Sequence, residues 1–423
     1  MSNFHRFFKP DQIKKRPEDT ICVLPWVHLN IRPNGKVLQC CMTLDHKNYA
    51  GDLNKQTIEE VWNGRFLRTM RKKMLKGIEP EMCRRCFDDE RVCGSSIRTL
   101  QNGHFTDKFK KIPQITRPDG SLEKVELKYW DFRFSNRCNF KCRTCSFESS
   151  SGWLYDAKKL GWISEDTLEQ PVNIKSVNRI NYLDFVRKNL STVEQIYFAG
   201  GEPLLMDEHW QILDLLDEHK RYDVLLTYST NLSVLKYKNK NALDYWTKWG
   251  DRVTLLPSID ATGRRAELIR SGTKWSTIEA NLKAVNQVGV FIMPNISVSA
   301  MNIFTITDLI DYLTETGIIN HADKWWQNFN FNVITIPEIF HVSILPDEVR
   351  KDIRNKMDTY IDHYEQKYGV GLRQQFTSLF SHLETPWNKK NARLFKDFTE
   401  SLDRIRDENT LEVIPELVCV LEG

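Results

Sequence analysis

The chain has 423 residues, long enough for a large core and, at roughly 150 residues per domain, for two to three domains. Its 60 basic and 56 acidic residues leave a formal charge of +4, too even to call for a polyanionic partner, so nucleic acid is not expected. The start lacks an apolar signal region and no apolar run approaches bilayer length, which predicts a cytoplasmic protein without membrane spans. In that reducing setting the ten cysteines, nine of them between Cys22 and Cys145, are better explained by metal than by disulfides.

Residues 1–20 form a polar leader. From 21 to 102 the chain carries Cys22, Cys40, Cys41, Cys83, Cys86 and Cys93. Within this span "VLPWVHLNIRPNGKVLQCC" reads as a hairpin turning at Asn34-Gly35, and "TIEEVWNGRFLRTMRKKML" as a helix with Thr57 and Glu60 in capping-box spacing. The result is a small cysteine-rich α+β module. Residues 103–124, polar with two prolines and a Pro-Asp-Gly turn, read as a linker.

From 125 to 340 short β-rich runs alternate with helical patterns. The strands are "VELKYWDFRFS", "VEQIYFAGG", "VLLTYST", "RVTLLPSID", "VFIMPNISVSA" and "FNFNVITI", with helices such as "DEHWQILDLLDEHK" and "STIEANLKAVNQV" between them. Repeated βα units predict an α/β fold with a parallel sheet, as an incomplete barrel or a doubly wound sheet. Either architecture binds ligands at the carboxyl ends of its strands. Cys138, Cys142 and Cys145 follow the first strand, Gly200-Gly201-Glu202-Pro203 the second, Ser229 and Asn231 end the third, and Ser258 and Asp260 the fourth, so all fall on one rim. Residues 341–423 read as a helical, charge-rich region.

The trio Cys138, Cys142 and Cys145 has no fourth thiol before Cys419. Structural zinc and ordinary iron-sulfur cubes take four protein ligands, so three closely spaced thiols suggest a centre with one corner open to a small chelating ligand. Cys-x3-Cys-x2-Cys after a first strand, with Gly-Gly-Glu-Pro after the second, closely resembles the radical SAM superfamily.

The resemblance implies an incomplete (β/α)6, TIM-like barrel whose 4Fe-4S cluster, held by Cys138, Cys142 and Cys145, binds S-adenosylmethionine. One electron then cleaves the sulfonium to methionine and a 5'-deoxyadenosyl radical that abstracts a substrate hydrogen. Gly200, Gly201, Glu202 and Pro203 would meet the amino group, Ser229 and Asn231 would contact the ligand, Ser258 and Asp260 would face the ribose, and Arg270 would bind the carboxylate. The position before the third cysteine, usually aromatic in the superfamily, is Thr144 here. Phe140 and Phe147 stand as substitutes for the adenine contact, with ordinary core roles favoured for both.

"Cys22-x12-Gly35-x4-Cys40", followed by "GDLNKQTIEEVWNGRFLRTMRKKM" and "Cys83-x2-Cys86", resembles the twitch domain, the shorter relative of the SPASM domain. That resemblance implies an auxiliary 4Fe-4S cluster on Cys22, Cys40, Cys83 and Cys86. Its place before the core is a departure, since such modules more often follow it. The stretch "FKDFTESLDRIRDENTLEVIPEL" resembles the tail of radical SAM proteins that begin with a twitch domain. Relatives with auxiliary domains modify peptides and proteins, or dehydrogenate sugars and aminocyclitols. Peptide modification is the first expectation and small-metabolite oxidation the alternative, with flavodoxin or ferredoxin as reducing partner.

Other readings of these residues stay open. A non-catalytic zinc and nucleotide-binding module would also use paired thiols, and the four of the first module suit a zinc ribbon. Cys41 is expected to be a buried neighbour of Cys40; Cys93 and Cys419 are simplest as core thiols, with Cys93 near enough in sequence to join the auxiliary site. Singly, Ser229, Asn231, Ser258 and Asp260 are ordinary turn and capping residues, and only their shared rim favours a ligand. The run Arg65, Arg68, Arg71, Lys72, Lys73 and Lys76 reads as a solvated helix face, and the tryptophans as core.

Overall fold

The computed structural model describes residues 16–43, 48–167, 170–174, 177, 181–319 and 329–422. They form two compact units: the chain as far as Phe134 together with Asn173–Tyr197, and Ser135–Val172 together with everything from Phe198 on.

In the first unit the expected hairpin is present. Strand β1 (His28–Ile31) pairs antiparallel with β2 (Lys36–Leu38), and β2 with β3 (Gly51–Asp52). Gly35 at the turn has φ +81°, and an added Cβ would sit 2.8 Å from Asn54 Nδ2, so both backbone and space demand glycine. The predicted helix is two, Ile58–Trp62 and Arg65–Leu75, broken at Asn63-Gly64; the Thr57–Glu60 capping box opens the first.

Two sequence expectations change here. Residues 103–124 are not a bare linker, because Thr106–Ile115 is helical with Pro113 in its last turn, Ile112 is buried, and Thr116 accepts from the Trp26 indole at 2.8 Å. Short length, many charges and a proline hide the helix, which buried Ile112 and the Trp26–Thr116 hydrogen bond anchor to the module. Arg71 does not belong to a solvated face. It is fully buried, donates to the carbonyls of Pro25, Trp62 and Gly120, and lies between the rings of Trp26 and Trp62 at 5.9 and 5.0 Å. Burial draws its pKa down to about 9. Four hydrogen bonds to carbonyls and two aromatic faces make a buried cation tolerable.

Strand β4 (Tyr129–Phe132) pairs parallel with β1 from His28↔Tyr129 to Ile31↔Phe132 and, on its other side, with β5 (Gln195–Phe198) through Tyr129↔Gln195 and Trp130↔Ile196. The first core strand is therefore flanked by a strand of the cysteine-rich module. All four residues of β1 and of β4 are buried, as central parallel strands require.

In the second unit β6 (Leu225–Thr230) is followed by a short antiparallel hairpin of β7 (Lys236–Tyr237) and β8 (Lys240–Asn241), then by β9 (Val253–Pro257), which pairs parallel with β6. The fifth predicted strand splits into β10 (Phe291–Ile292), parallel to β9, and β11 (Asn295–Val298), parallel to β12 (Asn330–Val333). Pro294, which has no amide hydrogen, stands at the break. The predicted helices run over Asp207–Glu218 and Trp275–Gln287. The last stretch is helical as expected, with Asp347–Tyr368, Arg373–Leu383 and Lys389–Arg406 as its long members. No helix among the described residues is long and apolar enough to cross a membrane.

Candidate cluster and cofactor sites

In the second unit the polar motifs meet by hydrogen bonding. The Glu202 N–H donates to the Arg137 carbonyl at 2.7 Å, and a Cβ on Gly201 would stand 2.1 Å from that same oxygen, so the turn lies directly on the cysteine loop and only glycine fits. Glu202 is buried and its carboxylate is taken up within the chain: Oε2 accepts from the Asn231 N–H at 2.7 Å, and Oε1 from the Thr230 hydroxyl at 2.8 Å and the Leu204 N–H at 3.2 Å. Desolvation pushes its pKa up to about 7 against those hydrogen bonds. Glu202 thus ties the Gly-Gly-Glu-Pro turn to the end of β6, its carboxylate engaged within the chain.

Asn231 reaches the cysteine loop, its Nδ2 donating to Asn139 Oδ1 at 2.9 Å and lying 3.9 Å from Cys138 Sγ. Lys141 and Arg143 donate main-chain N–H groups to Ser271 and Ile269, each at 2.8 Å. Arg270 Nε lies 2.8 Å from Asp260 Oδ2, an ion pair too poorly aligned for a hydrogen bond, and Arg270 Nη1 lies 3.8 Å from Cys142 Sγ. The other Asp260 oxygen accepts from the Ser297 N–H at 2.8 Å. Asp260, read from sequence as a ribose contact, is therefore the counter-ion and anchor of Arg270. Ser258 and Ser229 are half-buried; Thr230, the neighbour of Ser229 on the opposite face of β6, is the residue that engages Glu202. Phe140, Asn231, Ser258, Asp260, Arg270 and Trp275 line a narrow crevice with an open volume of only about 10 Å³. Phe140 is 2% exposed and Phe147 half-buried.

Sequence reading missed what holds the loop from behind. Arg143, with a fully buried side chain, pairs with Asp403 and Glu408. Arg406 pairs with Asp156 at 2.8 Å and lies over the Trp153 ring, whose indole donates to the Cys142 carbonyl at 2.8 Å. The tail residues that carried only a resemblance thereby become the electrostatic backing of the loop. The one local signal was an arginine set between two cysteines.

Burial pushes Cys138 and Cys145 up to about 12, with Glu202 adding to Cys138 and Cys142 to Cys145, and it raises Cys142 as well. Cys138 feels Cys142 and Cys145, and Cys145 feels Cys142, so the three thiols are near enough to interact, and such a donor set becomes favourable when an iron-sulfur cation supplies the missing positive charge. The residues fit the group.

In the first unit burial raises Cys22 to about 12 and Cys40, Cys83 and Cys86 as well; Cys22 feels Cys86, Cys40 feels Cys83 and Cys22, and Cys83 feels Cys22 and Cys86. These four thiols form one coupled set, fit for four-thiolate ligation. Cys41 neighbours Cys40 as expected, being the first of the thiols that raise it, but the residue as a whole is exposed; desolvation still pushes its thiol up to about 11, with Asp131 adding and Arg133 opposing. The Cys93 side chain lies outside the described residues, and Cys419 donates to the Glu416 carbonyl at 3.2 Å. Among the described residues no three His, Cys, Asp or Glu side chains stand close enough to chelate a single metal ion.

Residues 132–313 match the radical SAM superfamily, and residues 22–87 match SPASM, an iron-sulfur cluster-binding domain. This chain is a radical SAM protein with a SPASM-type domain. Its two domains imply 4Fe-4S clusters, with S-adenosylmethionine as the ligand of the core. Among solved structures, anSMEcpe with bound AdoMet matches with 16% identity and a TM-score of 0.33, covering 47% of each chain, so this radical SAM protein spans about half the length of that relative. Streptococcus suis SuiB bound to precursor peptide SuiA matches with 15% identity and a TM-score of 0.37, over 84% of this chain and 71% of SuiB. No curated protein matches the chain.

Proposed function

We propose that this radical SAM protein abstracts a hydrogen atom from a peptide or protein substrate, the SPASM-type domain serving as its second redox centre. The observation that supports the chemistry is the clasp of the Gly-Gly-Glu-Pro turn onto the cysteine loop, made by the Glu202–Arg137 hydrogen bond and by glycine at 201; a zinc scaffold has no use for it. When bound at Cys138, Cys142 and Cys145, the cluster supplies the electron that splits S-adenosylmethionine into methionine and a 5'-deoxyadenosyl radical. The chain's own residues bind and orient. The turn offers backbone carbonyls to the ligand's ammonium, Asp260 holds the Arg270 guanidinium for the carboxylate, and Asn231 and Ser258 lie along the crevice wall toward the ribose. Buried Phe140 and half-buried Trp275 exclude water from the same crevice.

The substrate class rests on the auxiliary domain, whose type accompanies peptide and protein modification first and the dehydrogenation of sugars and aminocyclitols as the alternative. An external one-electron donor such as flavodoxin or ferredoxin, in the cytoplasm, completes the reading, because reduced clusters need a low-potential partner. Incubating reduced, reconstituted protein with S-adenosylmethionine and panels of candidate peptides and small metabolites, with 5'-deoxyadenosine followed by mass spectrometry, tests it. Peptide-stimulated 5'-deoxyadenosine is expected. Stimulation by metabolites alone overturns the substrate class, and failure to form 5'-deoxyadenosine under any condition overturns the chemistry.

A further inference from the structure

Helix Ile97–His104 contributes no thiol, yet it grips the first ligand of the auxiliary site from both sides. Asn102 Nδ2 donates to the Ile21 carbonyl at 2.8 Å, and its Oδ1 accepts from the Val23 N–H at 2.8 Å, bracketing Cys22. Arg98, on the same helix, donates Nη1 to the Ile21 carbonyl at 2.9 Å and sets its guanidinium 4.7 Å from the ring of Phe87, the neighbour of Cys86. A permanent cation is thus wedged between the residues adjoining two of the four ligands. Its far edge is held by Glu90, with Nε donating to Oε1 at 2.8 Å and Nη2 to Oε2, and Glu90 also accepts from the hydroxyl of Ser96, which caps the helix. The Arg98 side chain is 8% exposed and that of Glu90 16%, so water screens their fields little.

We infer that Arg98 sets the reduction potential of the auxiliary cluster, with Glu90 behind it limiting the effect, an inference that rests on Cys22, Cys40, Cys83 and Cys86 holding that cluster. Reduction adds one negative charge to a four-thiolate cube, so a fixed cation beside the ligands stabilises the reduced form and raises the potential. Glu90 opposes this from farther away. Arginine suits the task because it keeps its charge at any working pH.

The test uses full-length protein in which Cys138, Cys142 and Cys145 are alanine, so that the auxiliary cluster is the only iron, and follows its reduction by EPR during a redox titration. R98Q is expected to move the midpoint to more negative potential, E90Q to more positive potential, and R98K to stay near the parent. A merely structural role for the ion pair would not give opposite signs at its two members. Midpoints of R98Q and E90Q that coincide with the parent, or that shift in the same direction, overturn the inference; if R98Q does not take up iron, the sign of the E90Q shift decides alone. A parent that carries zinc instead of iron refutes the auxiliary-cluster reading itself.

Discussion

Replacing Gly201 by alanine tests the clasp on which the site depends. The new Cβ would stand 2.1 Å from the Arg137 oxygen, 2.6 Å from its carbonyl carbon and 2.7 Å from the carbonyl carbon of Asn136. These are backbone atoms, so no rotamer change relieves the overlap, and restoring a contact near the optimum of about 3.5 Å requires the turn to retreat by more than about 1 Å. Such overpacking costs about 1–3 kcal/mol. Retreat also breaks the 2.7 Å bond from the Glu202 N–H to Arg137, and a buried N–H left without a partner costs about 1–3 kcal/mol more. A total of about 2–6 kcal/mol is expected. Gly289→Ala is the control: it has φ +72° but no atom within 4 Å of the added Cβ, so it bears only the left-handed backbone penalty of about 1–2 kcal/mol. Urea unfolding of anaerobic protein, followed by tryptophan fluorescence, compares the two, and calorimetry measures S-adenosylmethionine binding. A Gly201→Ala protein no less stable than Gly289→Ala, with wild-type affinity for S-adenosylmethionine, refutes the clasp.

Iron content separates the two cysteine sets: intact protein should carry about eight irons, and alanine at either Cys138, Cys142 and Cys145 or Cys22, Cys40, Cys83 and Cys86 should leave about four, since each cube holds four. Only the first variant is expected to lose 5'-deoxyadenosine formation; the second should still form it while losing oxidised product, and intact product yield would argue against an electron-accepting role. Arg270→Ala should cost about 3–5 kcal/mol in urea unfolding, because it strands the buried Asp260 carboxylate, and adding Asp260→Asn should recover much of the loss. Equal stability of the single variant and wild type would show that the pair does not matter. His28 is buried, and desolvation lowers its pKa from 6.5 to about 4, so protons bind the unfolded chain more readily. Its contribution is complete above about pH 6.5 and is lost as pH falls toward about 4, by up to about 3 kcal/mol; a His28→Gln protein should show a flatter acid limb in its stability profile.

The strand runs, the hairpin at Gly35 and the capping box at Thr57 were legible because each is a local pattern of side-chain period, turn geometry or capping chemistry. The cysteine spacings and the Gly-Gly-Glu-Pro turn were legible for the same reason, since a ligand loop is written within a few residues. Legibility failed where a charge finds its partner far away. Arg71 sits in a run of cations that looks solvated, yet its carbonyl acceptors come from Pro25, Trp62 and Gly120. Asp260 looks like a free strand-end carboxylate, yet Arg270 and Ser297 claim it. The helix over Thr106–Ile115 fails every local criterion and is held by its buried side.

By itself, then, the sequence set the cysteine spacings, the βα alternation and the family resemblance, because these depend on which residues stand within one loop or one strand. Tertiary structure alone decided which charges are buried and what answers them: Arg143 with Asp403 and Glu408, Arg406 with Asp156, and Arg98 between Ile21, Phe87 and Glu90. It also decided that a strand of the cysteine-rich module lies beside the first strand of the core. Burial removes the water that would otherwise satisfy each of these groups, and which neighbour then takes water's place depends on chain segments brought together from as far as 265 positions apart.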